Sequence, residues 1–73
     1  MPINFQTARA ISKQGPSEKI VIRNGKIIYA YISNMTISNQ NVSYFTNYFH
    51  AHAYSLKHKD ETVILLKRLE VAQ

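Results

Sequence analysis

The sequence predicts a small α+β domain, and three observations carry that prediction. Asn24-Gly25 sits between two apolar, β-branched runs. Apolar residues recur at helical spacing from Val42 to Leu56. A further apolar-rich run, Thr62 to Val71, follows a charged turn. The expected architecture is a β-hairpin with an aromatic helix and a C-terminal strand, preceded by a flexible N-terminal arm. Residues 1–17 form the arm and 18–73 the body.

The hairpin comes first in the body. Asn-Gly accepts the two positive φ angles of a type I′ turn. Lys19-Ile20-Val21-Ile22-Arg23 and Lys26-Ile27-Ile28-Tyr29-Ala30-Tyr31-Ile32 are its strands. A two-residue loop places Arg23 opposite Lys26, Ile22 opposite Ile27, and Ile20 opposite Tyr29. Ile20, Ile22, Ile27, Tyr29 and Tyr31 then share a core face. Lys19, Arg23 and Lys26 fall on the other face, around Val21, Ile28 and Ala30. A lone hairpin is marginal in water, so another element must cover the apolar face.

Residues 41–57 supply the cover. Val42, Phe45, Phe49, His52 and Leu56 form one narrow stripe of a helix. Tyr44 and Tyr48 make a ridge beside it, and Ser38 or Asn39 is placed to cap its start. The same segment also reads as a strand, with Val42, Tyr44, Thr46, Tyr48, His50, His52 and Tyr54 on one face. Fifteen residues is long for a strand, which favours the helix. His58-Lys59-Asp60-Glu61 is the charged turn. Thr62 to Val71 closes the chain as a strand beside the hairpin, with Val63, Leu65, Leu69 and Val71 on one face and Lys67 interrupting it. A helix aligning Thr62, Leu65, Leu66 and Leu69 is the alternative.

In the arm, Thr7 is placed to cap a short helix over residues 8–13, and Gly15-Pro16 stops it. Ile3, Phe5 and Ile11 are apolar, and Arg9 and Lys13 are basic. Such an arm either folds back on the body or docks elsewhere.

Composition narrows the functional classes. Ile27 to Leu56 contains no Lys, Arg, Asp or Glu, yet holds seven of the eight aromatics. The nine cations flank it, and the net charge is +5. A basic excess favours acidic partners: nucleic acid or an acidic protein surface. A chain of 73 residues buries only about 60% of its unfolded surface, so a partner or a homodimer would add burial. There is no Cys, and hence neither a disulfide nor a thiolate metal site. No apolar run approaches the roughly 20 residues of a membrane span, and no secretion signal opens the chain. A cytoplasmic protein without membrane contact is expected.

Catalytic and metal chemistry find little footing. His50-Ala51-His52 suggests metal ligation, but on a helix two residues apart point about 200° from each other. No serine or threonine sits in a recognisable nucleophile turn. Gly15 and Gly25 are the only glycines, so no phosphate-cradling loop exists. The expectation is no enzyme, no cofactor and no metal. The residues most suited to partner binding are Ile3, Phe5, Arg9 and Lys13 of the arm and Lys19, Arg23 and Lys26 of the hairpin. On those three cations a DNA- or RNA-binding protein is the alternative reading.

In size, basic balance, lack of Cys and lack of a catalytic motif, the whole chain resembles the small bacteriophage-encoded regulators of host RNA polymerase. That resemblance implies a non-enzymatic protein in the host bacterial cytoplasm. Its partner would be host RNA polymerase, with inhibition of transcription initiation, antitermination or both as the outcome. The N-terminal arm would be one contact.

Overall fold

The computed structural model describes residues 2–33 and 42–69. The elements run α1 (Phe5–Lys13), β1 (Ser17–Arg23), β2 (Lys26–Ser33), β3 (Val42–Phe45), α2 (Tyr48–Lys57) and β4 (Thr62–Arg68). The four strands make one sheet in the order β2-β1-β4-β3. β1 is antiparallel to β2 and to β4, and β3 is parallel to β4. The molecule is therefore a single α+β domain. Its hairpin and its closing strand are those expected, and the strand rather than the helix is found over 62–68.

The hairpin turn has the required backbone: φ is 53° at Asn24 and 74° at Gly25. Arg23 faces Lys26 and Ile22 faces Ile27. Beyond them the register shifts between Val21 and Ile22, so Val21 faces Tyr29 and Ile20 faces Ala30. The expected pairing of Ile20 with Tyr29 is thus displaced by one residue. Because strand side chains alternate, a one-residue slip sends them to the opposite face. Tyr29 and Tyr31 join the face of Lys19 and Val21, away from Ile20 and Ile22. The expected common face of Ile20, Ile22, Ile27, Tyr29 and Tyr31 does not form.

Both faces of the sheet are covered, each by its own helix. On one side, α1 sets Ala8 against Val21, Tyr44, Ile64 and Leu66, with Ile3, Phe5, Ile11, Tyr31 and Val42 packed around them. On the other, α2 sets Ala51 against Ile22, Phe45, Val63 and Leu65, flanked by Ile20 and Tyr54. β4 lies between β1 and β3 and contributes to both clusters. Val63, Ile64, Leu65 and Leu66 are all buried. A strand covered on two faces needs a continuous apolar run, which is why the alternation of 62–71 looked imperfect.

The neighbourhood of α2 corrects the sequence reading. The expected helix over 41–57 is divided: Val42–Phe45 is strand β3, paired with Thr62 to Leu65. Asn47 then caps α2, its side chain accepting the His50 N–H at 3.0 Å. The expected caps Ser38 and Asn39 lie outside the described residues. β3 and β4 are parallel, so their connection must cross over the sheet, and α2 is that crossover. The buried face of α2 carries the small residues Ala51 and Ser55, not the stripe of Phe49 and Leu56. Small side chains let the helix backbone approach the sheet closely.

Of the two courses open to the arm, the structure takes folding back. α1 buries Ala8 and Ser12, and its cap is Asn4, which accepts the Thr7 N–H at 2.7 Å. Thr7, the expected cap, is therefore inside the helix. Ahead of α1, the Ile3 N–H donates to the Tyr44 carbonyl at 2.9 Å and extends the sheet past β3.

The turn is also fastened to α2. The Gly25 N–H donates to Ser55 Oγ at 3.0 Å, and that hydroxyl donates to the His52 carbonyl at 2.8 Å. A Cβ on Gly25 would stand 2.5 Å from Leu56 Cδ2. Gly25→Ala should therefore lower stability by about 1–2 kcal/mol from its left-handed backbone alone, plus a steric share that Leu56 can relieve. Urea unfolding of Gly25→Ala, Leu56→Ala and the double variant separates the shares. Only the steric part should disappear in the double variant. A Gly25→Ala protein as stable as the wild type would contradict the turn's role.

Candidate functional site

The seven residues singled out from the sequence fall into three groups. Ile3 and Phe5 are half-buried against the α1 cluster, so they serve the body. Arg9 and Lys13 are exposed on α1. Arg23 and Lys26 are exposed and face each other at the hairpin end, with the Arg23 guanidinium donating to Thr62 Oγ1 at 2.6 Å. Lys19 is separated from them. It is 0% exposed, and its ammonium donates to Ser12 Oγ and Ser17 Oγ, each at 3.2 Å. The strand alternation that points Lys19 toward α1 makes it a tie between α1 and β1. A phosphate has no access to it, so the expected three-cation hairpin face is reduced to Arg23 and Lys26.

A polar cluster gathers where β3 begins and α2 ends. The Tyr54 hydroxyl donates to Glu61, 3.1 Å from each carboxylate oxygen. Ser43 Oγ donates to Glu61 Oε1 at 2.9 Å. His58 Nδ1 lies 3.5 Å from Glu61 Oε2, and its ring stacks on Tyr54 with centroids 4.2 Å apart. Serine, histidine and a carboxylate are the ingredients of nucleophilic catalysis, but the order here is different. Activation needs the imidazole beside the hydroxyl, whereas here the carboxylate lies between Ser43 and His58. The arrangement is a clamp that holds β3, α2 and the approach to β4 together. His50 is exposed and His52 half-buried on α2. Among the described residues no three His, Asp or Glu side chains gather as metal donors.

The surface least explained by folding is the outer side of α2. Phe49 is 77% exposed, the most of any large apolar residue among those described, and Tyr48 is 41% exposed. Their rings meet edge-on at 5.8 Å, and Tyr48 also stacks on His52 at 5.7 Å. A groove on one side of the helix is lined by Ile20, Tyr48, Leu65 and Lys67. A second, on the other side, is lined by Phe45, His50, Tyr54 and Lys57. An aromatic ridge thus stands between two grooves, each edged by a lysine. Sequence reasoning placed Phe49 in the core because its spacing from Phe45 and Leu56 is helical. The local signal for the later start is Asn47, a favoured N-cap residue just ahead of Tyr48, and a helix starting there turns that stripe outward.

Compared with known proteins, the chain matches no family model, no curated protein and no solved structure.

The Lys19 site carries a definite pH dependence. Burial away from water pushes the Lys19 ammonium below its ordinary 10.5. As pH rises, the folded protein releases this proton before the unfolded chain does. Between the lowered value and 10.5 the unfolded chain binds more protons, so stability climbs with pH across that window. The difference in unfolding free energy between wild type and Lys19→Met should move in favour of the wild type as pH goes from 7 towards 10. The scan stops there because burial, helped by Tyr29 and Tyr44, pushes the Tyr31 hydroxyl up, and stability falls as the solution passes into the tyrosine range. A difference that stays constant from 7 to 10 would mean that Lys19 titrates as it does in water.

Proposed function

We propose that this protein is a small non-enzymatic regulator that docks the aromatic ridge of α2 on an acidic protein surface. The observation that carries the reading is the exposure of Phe49 beside Tyr48, between grooves edged by Lys57 and Lys67. Aromatic side chains are enriched and charged ones, lysine included, depleted at the centres of protein interfaces, whose rims are polar. The surrounding lysines suit an acidic partner and speed its capture. Bacterial RNA polymerase, implied by the resemblance to phage regulators, is the partner to test. Blocked initiation or antitermination would be the consequence of binding. The runner-up is single-stranded nucleic acid, because exposed aromatics next to cations also stack unpaired bases. This replaces the hairpin face as the candidate nucleic-acid surface.

Phe49→Ser and Tyr48→Ser touch exposed side chains and should leave the melting temperature close to wild type. Binding to purified, nuclease-treated polymerase should weaken by about thirty-fold or more if either ring is a central anchor. Steep salt dependence, with binding to bare RNA or DNA oligonucleotides and none to polymerase, would favour the runner-up. Unchanged polymerase affinity in both variants would remove α2 as the docking surface.

A further inference from the structure

The two edges of the sheet differ. β3 is four residues long, and Ile3 is bonded to its outer side. β2 is eight residues long, and among the described residues only β1 pairs with it. On an antiparallel strand, alternate residues turn their N–H and C=O groups away from the neighbour, so β2 offers a row of them outward. Neither helix covers it: Ile27, Ile28, Tyr29 and Ile32 are each more than half exposed. Soluble proteins usually guard such an edge with charge, proline or irregularity. Here the only charge is Lys26 at the hairpin end, and the register shift leaves Ile28, between Ile27 and Tyr29, without a partner on β1.

From Tyr29 to Ile32 the edge carries no such guard, and with Ile28 included the run Ile28-Tyr29-Ala30-Tyr31-Ile32 reads identically in both directions. We propose that β2 pairs antiparallel with β2 of a second copy, about a two-fold axis through Ala30. In a two-fold contact, residue i meets residue j and j meets i. A palindromic strand therefore opposes like with like. Ile28 faces Ile32 of the second copy, Tyr29 faces Tyr31, and Ala30 faces Ala30. The axis is perpendicular to the sheet, so each face continues into its counterpart. Tyr29 and Tyr31, already 5.8 Å apart on one face, meet their counterparts in a two-by-two cluster of four tyrosines. The isoleucines meet on the other face, with the small Ala30 at the centre. Aromatic and β-branched cross-strand pairs are among the favourable ones. Lys26 and its copy fall at opposite ends of the pair, so no like charges oppose each other. Two four-stranded sheets join into one of eight.

The palindrome is what selects a second copy over another extended segment, since only the strand's own antiparallel copy makes use of it. The contact is narrow compared with the roughly 800 Å² per partner of a standard interface, so the dimer is weak and concentration-dependent. It uses a surface separate from Tyr48 and Phe49 and stands independently of the partner proposed for them.

Sedimentation equilibrium of the full chain over a wide concentration range tests the proposal, with melting temperature as the folding control. The wild type should shift from monomer to dimer mass as concentration rises. Replacing both Ile28→Lys and Ile32→Lys sets lysine against lysine and should weaken self-association at least ten-fold. Ile28→Glu with Ile32→Lys places opposite charges across both ends and should restore it. Hydrogen exchange on the unaltered protein gives a second measurement: amides within 28–32 should gain protection with concentration. A wild-type chain that stays monomeric to millimolar concentration overturns the proposal. A dimer indifferent to the two lysines, or one that the Glu/Lys pair does not restore, overturns it as well.

Discussion

The run Val63-Ile64-Leu65-Leu66 imposes the architecture. Four consecutive apolar side chains on one strand point alternately to two faces, and each face must be removed from water. One helix can shield only one of them. The chain meets the constraint by placing β4 inside the sheet, then laying α1 on one side and α2 on the other. The N-terminal segment is consequently part of the body. Without it, Val21, Tyr44, Ile64 and Leu66 would face solvent. Size makes this arrangement tight. Among the described residues of this 73-residue chain, both helices are taken up by the inner strands, and neither lies over the outer part of β2. The exposed isoleucines and tyrosine of β2 follow from where the helices are needed.

The parts of the fold legible in the sequence were those set by local chemistry. Asn24-Gly25 specified its turn because few residues tolerate consecutive positive φ angles. The charged turn ahead of Thr62 was equally plain, and the strand after it followed from the need for a third strand beside the hairpin, with a helix left as the alternative. What failed depended on information between segments. The register shift at Val21 and Ile22 has no signature in either strand alone, yet it decides which face receives Tyr29 and Tyr31. The division of 42–57 into β3 and α2 depends on Thr62 to Leu65 being available as a parallel neighbour. Val42, Ser43, Tyr44 and Phe45 fit either state until that neighbour is known.

The candidate site was less legible for a related reason. Charge and hydropathy identify residue types that bind partners, and they do not reveal which copies of those types the core consumes. Lys19 is the plainest case. From the sequence it is one of three hairpin cations. In the fold it is a buried ammonium bonded to Ser12 and Ser17. Phe49 shows the converse: it has the spacing of a core residue and the exposure of a contact residue. Ala51 and Ser55 occupy the buried positions, so the most apolar aromatic of the helix is left outside.

The short bond from Ile3 to Tyr44 has a consequence for how far such molecules can grow. A sheet with two open edges adds copies without limit and becomes a fibre. A sheet with one open edge stops at two, because pairing consumes the only edge available. The few residues ahead of α1 therefore act as a terminator for the sheet. If β2 pairs as proposed, detaching them would expose β3 as a second edge and let a closed pair grow into an open-ended polymer. The N-terminus of this protein, on that view, limits aggregation as well as completing the core.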